Sequence, residues 1–177
     1  MRRLISLIFT GLTLIVSGQQ LPQSTFFTYD QMTINPGYAG SQEGICVNVL
    51  ARNQWMGFEG APNTQKFDVH MPFKLFGFEH GAGISLFNDK IGLNNDINAT
   101  LSYSFLKEIG IGKLGLGLGF GFFNESVKGT FEMVDDDSDL TSITSGKGKM
   151  AFDLNLGAFY RTSNVFLGLS VMNLLEN

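Results

Sequence analysis

The stretch Asn95-Asp96-Ile97-Asn98-Ala99-Thr100-Leu101-Ser102-Tyr103-Ser104-Phe105 decides the fold. Ile97, Ala99, Leu101, Tyr103 and Phe105 alternate with Asp96, Asn98, Thr100, Ser102 and Ser104. Successive side chains of a strand point to opposite faces, whereas a helix would scatter the same polar groups around its axis. The segment is predicted to be a strand with one apolar and one polar face.

The same period recurs on either side. Downstream, Leu114, Leu116, Leu118, Phe120 and Phe122 alternate with Lys113, Gly115, Gly117, Gly119 and Gly121. Met150, Phe152, Leu154, Leu156, Ala158 and Tyr160 then alternate with Ala151, Asp153, Asn155, Gly157, Phe159 and Arg161, and Val165 to Val171 supplies a last strand. Upstream, Ala82, Ile84 and Leu86 mark a weaker strand, and Phe67, Val69 and Met71 oppose Lys66, Asp68 and His70. Ile45 to Met56 sets Ile45, Val47, Val49, Ala51 and Trp55 against Asn48, Arg52 and Gln54.

Several of these strands reach ~10 residues, the length a tilted strand needs to cross a bilayer and longer than the ~5 to 6 usual in soluble sheets. Their polar face is rich in Gly, Ser, Thr and Asn, which suits a confined, wet interior better than an open surface. The expected fold is all-β: an antiparallel up-and-down transmembrane β-barrel over residues 45–177. A soluble secreted β-sandwich is the rival that alternation alone also permits. Lys107 to Gly110, Arg161 to Asn164 and a longer link from Pro72 to His80 are expected as periplasmic connections, and the longest, about Glu125 to Gly148, as an outer loop. Bacterial barrels close with an even number of strands, at least ~8. About seven strands therefore read as an incomplete barrel, the front part of a longer chain or one that a partner chain completes.

The first residues read as an address. Arg2 and Arg3 precede an apolar run from Leu4 to Val16, and Val16-Ser17-Gly18 offers a cleavage site, so residues 1–18 are expected to be a Sec signal peptide. Residues 19–44 then form an N-terminal periplasmic or lumen segment. Without Arg2 and Arg3 the formal net charge of -4 becomes -6, which argues against a nucleic-acid partner. The single cysteine, Cys46, excludes an internal disulfide.

Two segments are too particular to follow from periodicity. Ile34-Asn35-Pro36-Gly37-Tyr38-Ala39-Gly40-Ser41 precedes the first strand. Arg52-Asn53-Gln54-Trp55-Met56-Gly57-Phe58-Glu59-Gly60-Ala61-Pro62-Asn63-Thr64-Gln65 closes that strand and forms the first hairpin. Asn35-Pro36-Gly37 is a turn former, and Gly57, Gly60 and Pro62 shape a tight hairpin. Trp55 falls where an aromatic girdle would meet the membrane interface. Arg52 and Gln54 fall on the lumen face, within expected reach of the N-terminal segment or a bound peptide. Together the segments resemble the PorP/SprF family of the Bacteroidota type IX secretion system, with its NPxYAGS and RxQWxGFxGAPxTQ patterns. Gly37 stands where many relatives carry Ala, and the family's barrels are longer.

The resemblance implies an outer-membrane protein, exposed to lipid, that works with type IX translocon or motor components in exporting or anchoring a secreted surface-adhesin client, and so a link to gliding motility. The motif residues are then partner-binding candidates, with the alternative that they only secure folding. A general porin or small-solute channel is the competing function.

No enzyme, cofactor or metal is expected. His70 and His80, the two histidines, read as a lumen residue and a turn residue, and Ser85 near His70 lacks the Gly-x-Ser-x-Gly context of a nucleophile. Asp135-Asp136-Asp137-Ser138-Asp139 offers Leu140 and Gly146 where a calcium loop needs Gly and Glu, so it reads as a solvated acidic loop. The glycines from Gly115 to Gly121 allow two readings: barrel curvature, or a groove for a plug or client segment.

Overall fold

The computed structural model describes residues 28–127 and 149–175. The expected leader and the acidic run at 135–139 lie outside them. Seven antiparallel strands form one sheet in chain order: β1 Cys46–Asn53, β2 Asn63–Leu75, β3 Phe78–Ile91, β4 Asn94–Ile109, β5 Gly112–Val127, β6 Lys149–Arg161 and β7 Phe166–Val171. All seven expected strands are present, in up-and-down order, and they curl into a half-barrel with β1 and β7 as its edges. Among the described residues no helix is long and apolar enough to cross a membrane.

The link expected from Pro72 to His80 is instead strand on both sides of a two-residue turn. β2 and β3 stay in register from Asn63 opposite Lys90 to Leu75 opposite Phe78. Phe76 (φ 52°) and Gly77 (φ 82°) are both left-handed, the geometry of a tight hairpin turn that follows the twist of its strands. Pro72 is tolerated because β1 pairs only as far as His70, so β2 has one neighbour there. β3–β4 and β4–β5 turn as tightly, through Gly92 (φ 60°) and Gly110 (φ 61°).

Burial is inverted relative to a soluble domain. The polar face is hidden: Lys66, Asp68, Ser85, Asp89, Ser102, Ser104 and Asn155 are all buried. The apolar face is bare: Phe67, Met71, Ile84, Leu86, Leu101, Leu116, Leu118, Phe120 and Phe152 are exposed. The buried hydrophobic cluster comprises Met32, Tyr38, Ala39 and Phe159. A sandwich would bury its apolar face under a second sheet; here that face lies on the outside of a single curved sheet. On β2 its outward side chains are Phe67, Val69, Met71, Phe73 and Leu75, a span of about 26 Å along the strand and about 20 Å after barrel-like tilt. That approaches the ~25 Å apolar band of a membrane barrel. Gln65, Asn88 and Asn124 share the cross-strand row that bounds it, with Ile97 among them.

Candidate functional site: the N-terminal segment on the inner wall

Residues 30–41 lie against the concave, polar face of the sheet. Gln31–Ile34 makes one helical turn, α1, and Pro36–Tyr38 a 3-10 turn. Asn35 joins them in extended conformation, and its side-chain oxygen accepts the Gly37 N–H at 2.9 Å. The sequence dictates this locally: Asn closes a turn on a backbone N–H two residues ahead, and Pro36, its own φ fixed by its ring, is preorganised to open the 3-10 turn. The segment is sunk into the wall, with Asp30, Gln31, Met32, Asn35, Tyr38 and Ala39 all buried.

Room for it comes from missing side chains. A Cβ on Gly117 would overlap the Pro36–Gly37 backbone, one on Gly115 the Gly37 carbonyl, and one on Gly157 the Asn35 side chain. On β3, Gly81 and Gly83 make the same space for Ala39 and Met32. The glycine groove is therefore occupied, which settles the choice between curvature and groove for Gly115 and Gly117. Gly121 faces Asp153 instead, and Gly119 sits between Asn155 and Pro36. Gly37 is equally tight, since a Cβ there would stand 2.7 Å from the Gly115 carbonyl oxygen.

Polar contacts tie the segment to most of the sheet. Asp30 pairs with Lys66 of β2. The Thr33 hydroxyl donates to Asp30 and lies 3.5 Å from Asp68, which also accepts from Ser85 and, at 3.4 Å, from Asn48. The Asn35 amide donates to the carbonyls of Ala158 (3.0 Å, β6) and Leu169 (3.2 Å, β7). The Ser104 hydroxyl donates to the Ala39 carbonyl at 2.5 Å. The Gly40 N–H donates to His70 Nδ1 at 3.2 Å, which puts any proton of the neutral ring on Nε2. Tyr38 meets His70 and Phe159 edge-on, with centroids 5.2 and 5.1 Å apart.

His70 is thus the inner-face residue that the alternation predicts. His80 is not in a turn: it lies within β3 on the outward face, stacked on Phe73 and 2.6 Å from the Tyr103 hydroxyl. The extra β3 residues continue the outward column of aromatics past the point where the periodicity weakens. On opposite faces, the two histidines cannot share one ion. Ser85 spends its proton on Asp68, across the ladder, and not on His70.

The second motif folds elsewhere. Gln54 N–H donates to the Pro62 carbonyl at 3.0 Å, and Phe58 and Ala61 close smaller turns onto Trp55 and Phe58. Gly57 (φ 105°) and Gly60 (φ 75°) take conformations other residues resist. The Gly92 N–H donates to the Gly60 carbonyl at 2.9 Å, locking this loop onto the β3–β4 hairpin. Trp55, Met56 and Phe58 are exposed, with Trp55 beyond the end of β1. Thr64 donates to Asp89 at 2.7 Å.

Arg52 bonds Gln54 at 2.8 Å and does not meet the N-terminal segment. Arg52 lies opposite Thr64 and so level with Asp89, eight residues or about 26 Å along β3 from Gly81, where the segment sits. The residues that do hold it, Lys66, Ser104, Gly81 and Gly157, carried a signal only as small or polar members of the inward column.

A row of acidic residues crosses the same end. Asp89, Asp96 and Glu125 stand directly opposite one another on β3, β4 and β5. Asp96 Oδ1 is buried without a hydrogen-bond partner.

Inverted burial, tight up-and-down hairpins and a segment buried on the polar wall define an integral membrane β-protein. The family model described as type IX secretion system membrane protein PorP/SprF matches residues 16–177. The chain belongs to that family, one of secretion-system membrane proteins and not of enzymes. No curated protein and no solved structure matches it.

Proposed function

We propose that this protein is an outer-membrane component of the type IX secretion system that supports export or surface anchoring of one adhesin-like client through protein contacts, without covalent chemistry. Its expected organisation is a cleaved leader at 1–18, the segment at 19–44 and the barrel from 45 onward. One observation carries the reading: the inner wall is occupied by the chain's own Asn35-to-Gly40 segment, where a solute channel would keep open water. The second motif supports it by presenting Trp55, Met56 and Phe58 on a braced loop, an apolar surface of the kind that partner proteins cover. Type IX translocon or motor components are the partners proposed at the membrane, with the loop end turned outward. Deleting the gene is expected to remove one surface protein from the cell exterior while the rest remain. Membranes carrying a tagged copy are expected to yield type IX subunits on capture. A steady open conductance of the protein in planar bilayers, with unchanged surface proteins on deletion, would establish a porin instead.

A further inference from the structure

The segment and the wall beneath it are separable in their bonding. The ladder from β1 to β7 is continuous without help from residues 30–41. The segment adds a small apolar contact of Met32, Tyr38 and Ala39 with Phe159. Its other attachments, to Lys66, Asp68, Ser85, His70, Ser104 and the two β6–β7 carbonyls, are polar groups that water can satisfy on the hydrated inner face of a barrel.

Access and freedom are present as well. A cavity of about 380 Å³ opens beside the segment at the β1 edge, lined by Tyr29, Gln42, Asn48, Asp68 and His70 among others. The connection to β1 runs through Gly44, left-handed at φ 88° with no neighbour near its Cβ position. The wall itself recognises features that any suitable polypeptide can offer. Gly115, Gly117 and Gly157 admit a bare turn at backbone contact, and the Ala158 and Leu169 carbonyls take a side-chain amide.

We propose that the inner face of β2–β7 is a peptide-binding groove, with residues 30–41 as its resident, displaceable ligand and segments bearing an Asn-Pro-small turn as the class it accepts. The proposal does not depend on the export reading.

The test uses the full chain in membranes, with Cys46→Ser and Ser102→Cys as a reporter background. Ser102 is 1% exposed and its hydroxyl has no partner, so a thiol is tolerated. In register it lies between Gly83 and Gly119, which face Met32 and Pro36. A water-soluble maleimide reads its exposure, and heat-modifiable gel migration reads the folded wall. Asp30→Lys sets like charge against Lys66 and changes only the ligand; Gly117→Val blocks the groove with a residue that strands favour; Gly121→Val is the control away from the segment.

Asp30→Lys and Gly117→Val are expected to stay heat-modifiable and to label at least about tenfold faster than the reporter alone or Gly121→Val, tenfold being ~1.4 kcal/mol. A synthetic peptide of residues 29–42 is expected to slow labelling again in Asp30→Lys but not in Gly117→Val. Loss of the folded form in both variants while Gly121→Val folds would make the segment a fixed strut and overturn the proposal. Folded variants that label slowly would show that it does not leave, and a folded, fast-labelling Asp30→Lys that ignores the peptide would show that the wall is no peptide site.

Discussion

At the scale of single residues, Asn35 ties the segment both to itself and to the far end of the sheet through three hydrogen bonds. Its oxygen closes the turn on Gly37, while its amide reaches two carbonyls on strands more than a hundred residues later. Asn35→Ala is expected to lower stability by about 1–3 kcal/mol, since its three hydrogen bonds are lost together. Asn35→Asp is expected to be worse than alanine, because it aims carboxylate oxygens at both carbonyls. The midpoint temperature of heat-modifiable migration should order the three as Asn, Ala, Asp. Asp96 is the opposite case. It stands between Asp89 and Glu125 in register, and directly opposed like charges cost roughly 0.2–1 kcal/mol each. Asp96→Asn is therefore expected to raise the unfolding free energy by that order, seen as a higher urea midpoint, with the gain shrinking at high salt.

At the scale of elements, legibility followed distance along the chain. Strand identity was readable because alternation is local: Asn95 to Phe105 lies wholly within β4, and Leu114 to Phe122 within β5. The β2–β3 hairpin was not, because Pro72 reads as a breaker and Phe76 carries no turn signal, although Phe73, Leu75 and Phe78 keep the outward column. Asn-Gly suits a two-residue turn with both φ values positive better than Phe-Gly. Phe76→Asn is thus expected to stabilise the hairpin by up to ~1 kcal/mol, seen as a higher unfolding midpoint, since exposed Phe76 packs on nothing. A fall in the midpoint would mean instead that the ring anchors in the membrane interface. The site was half legible. Asn35-Pro36-Gly37 announced a turn and Gly115-to-Gly121 announced a groove, but nothing local joined them; that pairing is a contact across most of the chain. Arg52 lies on the inward parity of β1 but far from the segment, because face follows parity whereas height depends on register; Gln54 falls past the end of the strand.

At the scale of the whole molecule, the assignment to a membrane rests on which face is bare. The outward row holding Met71, Ala82, Tyr103, Leu118 and Leu156 is the middle one of the five that make the apolar band, and the row holding Phe67, Leu86, Ala99, Phe122 and Phe152 is at its edge. Lipid makes the cost of a charge depend on this depth: about 2–4 kcal/mol for Arg at the midplane against ~0–1 near the interface. Leu118→Arg is therefore expected to lower the unfolding free energy in lipid vesicles by several times as much as Phe122→Arg. An apolar face covered by a second sheet would penalise both alike, because a dry protein core has no interface to which the guanidinium can snorkel. Equal losses at the two depths would contradict the inside-out reading, and with it the argument that the buried inner wall is the surface on which this protein holds polypeptide.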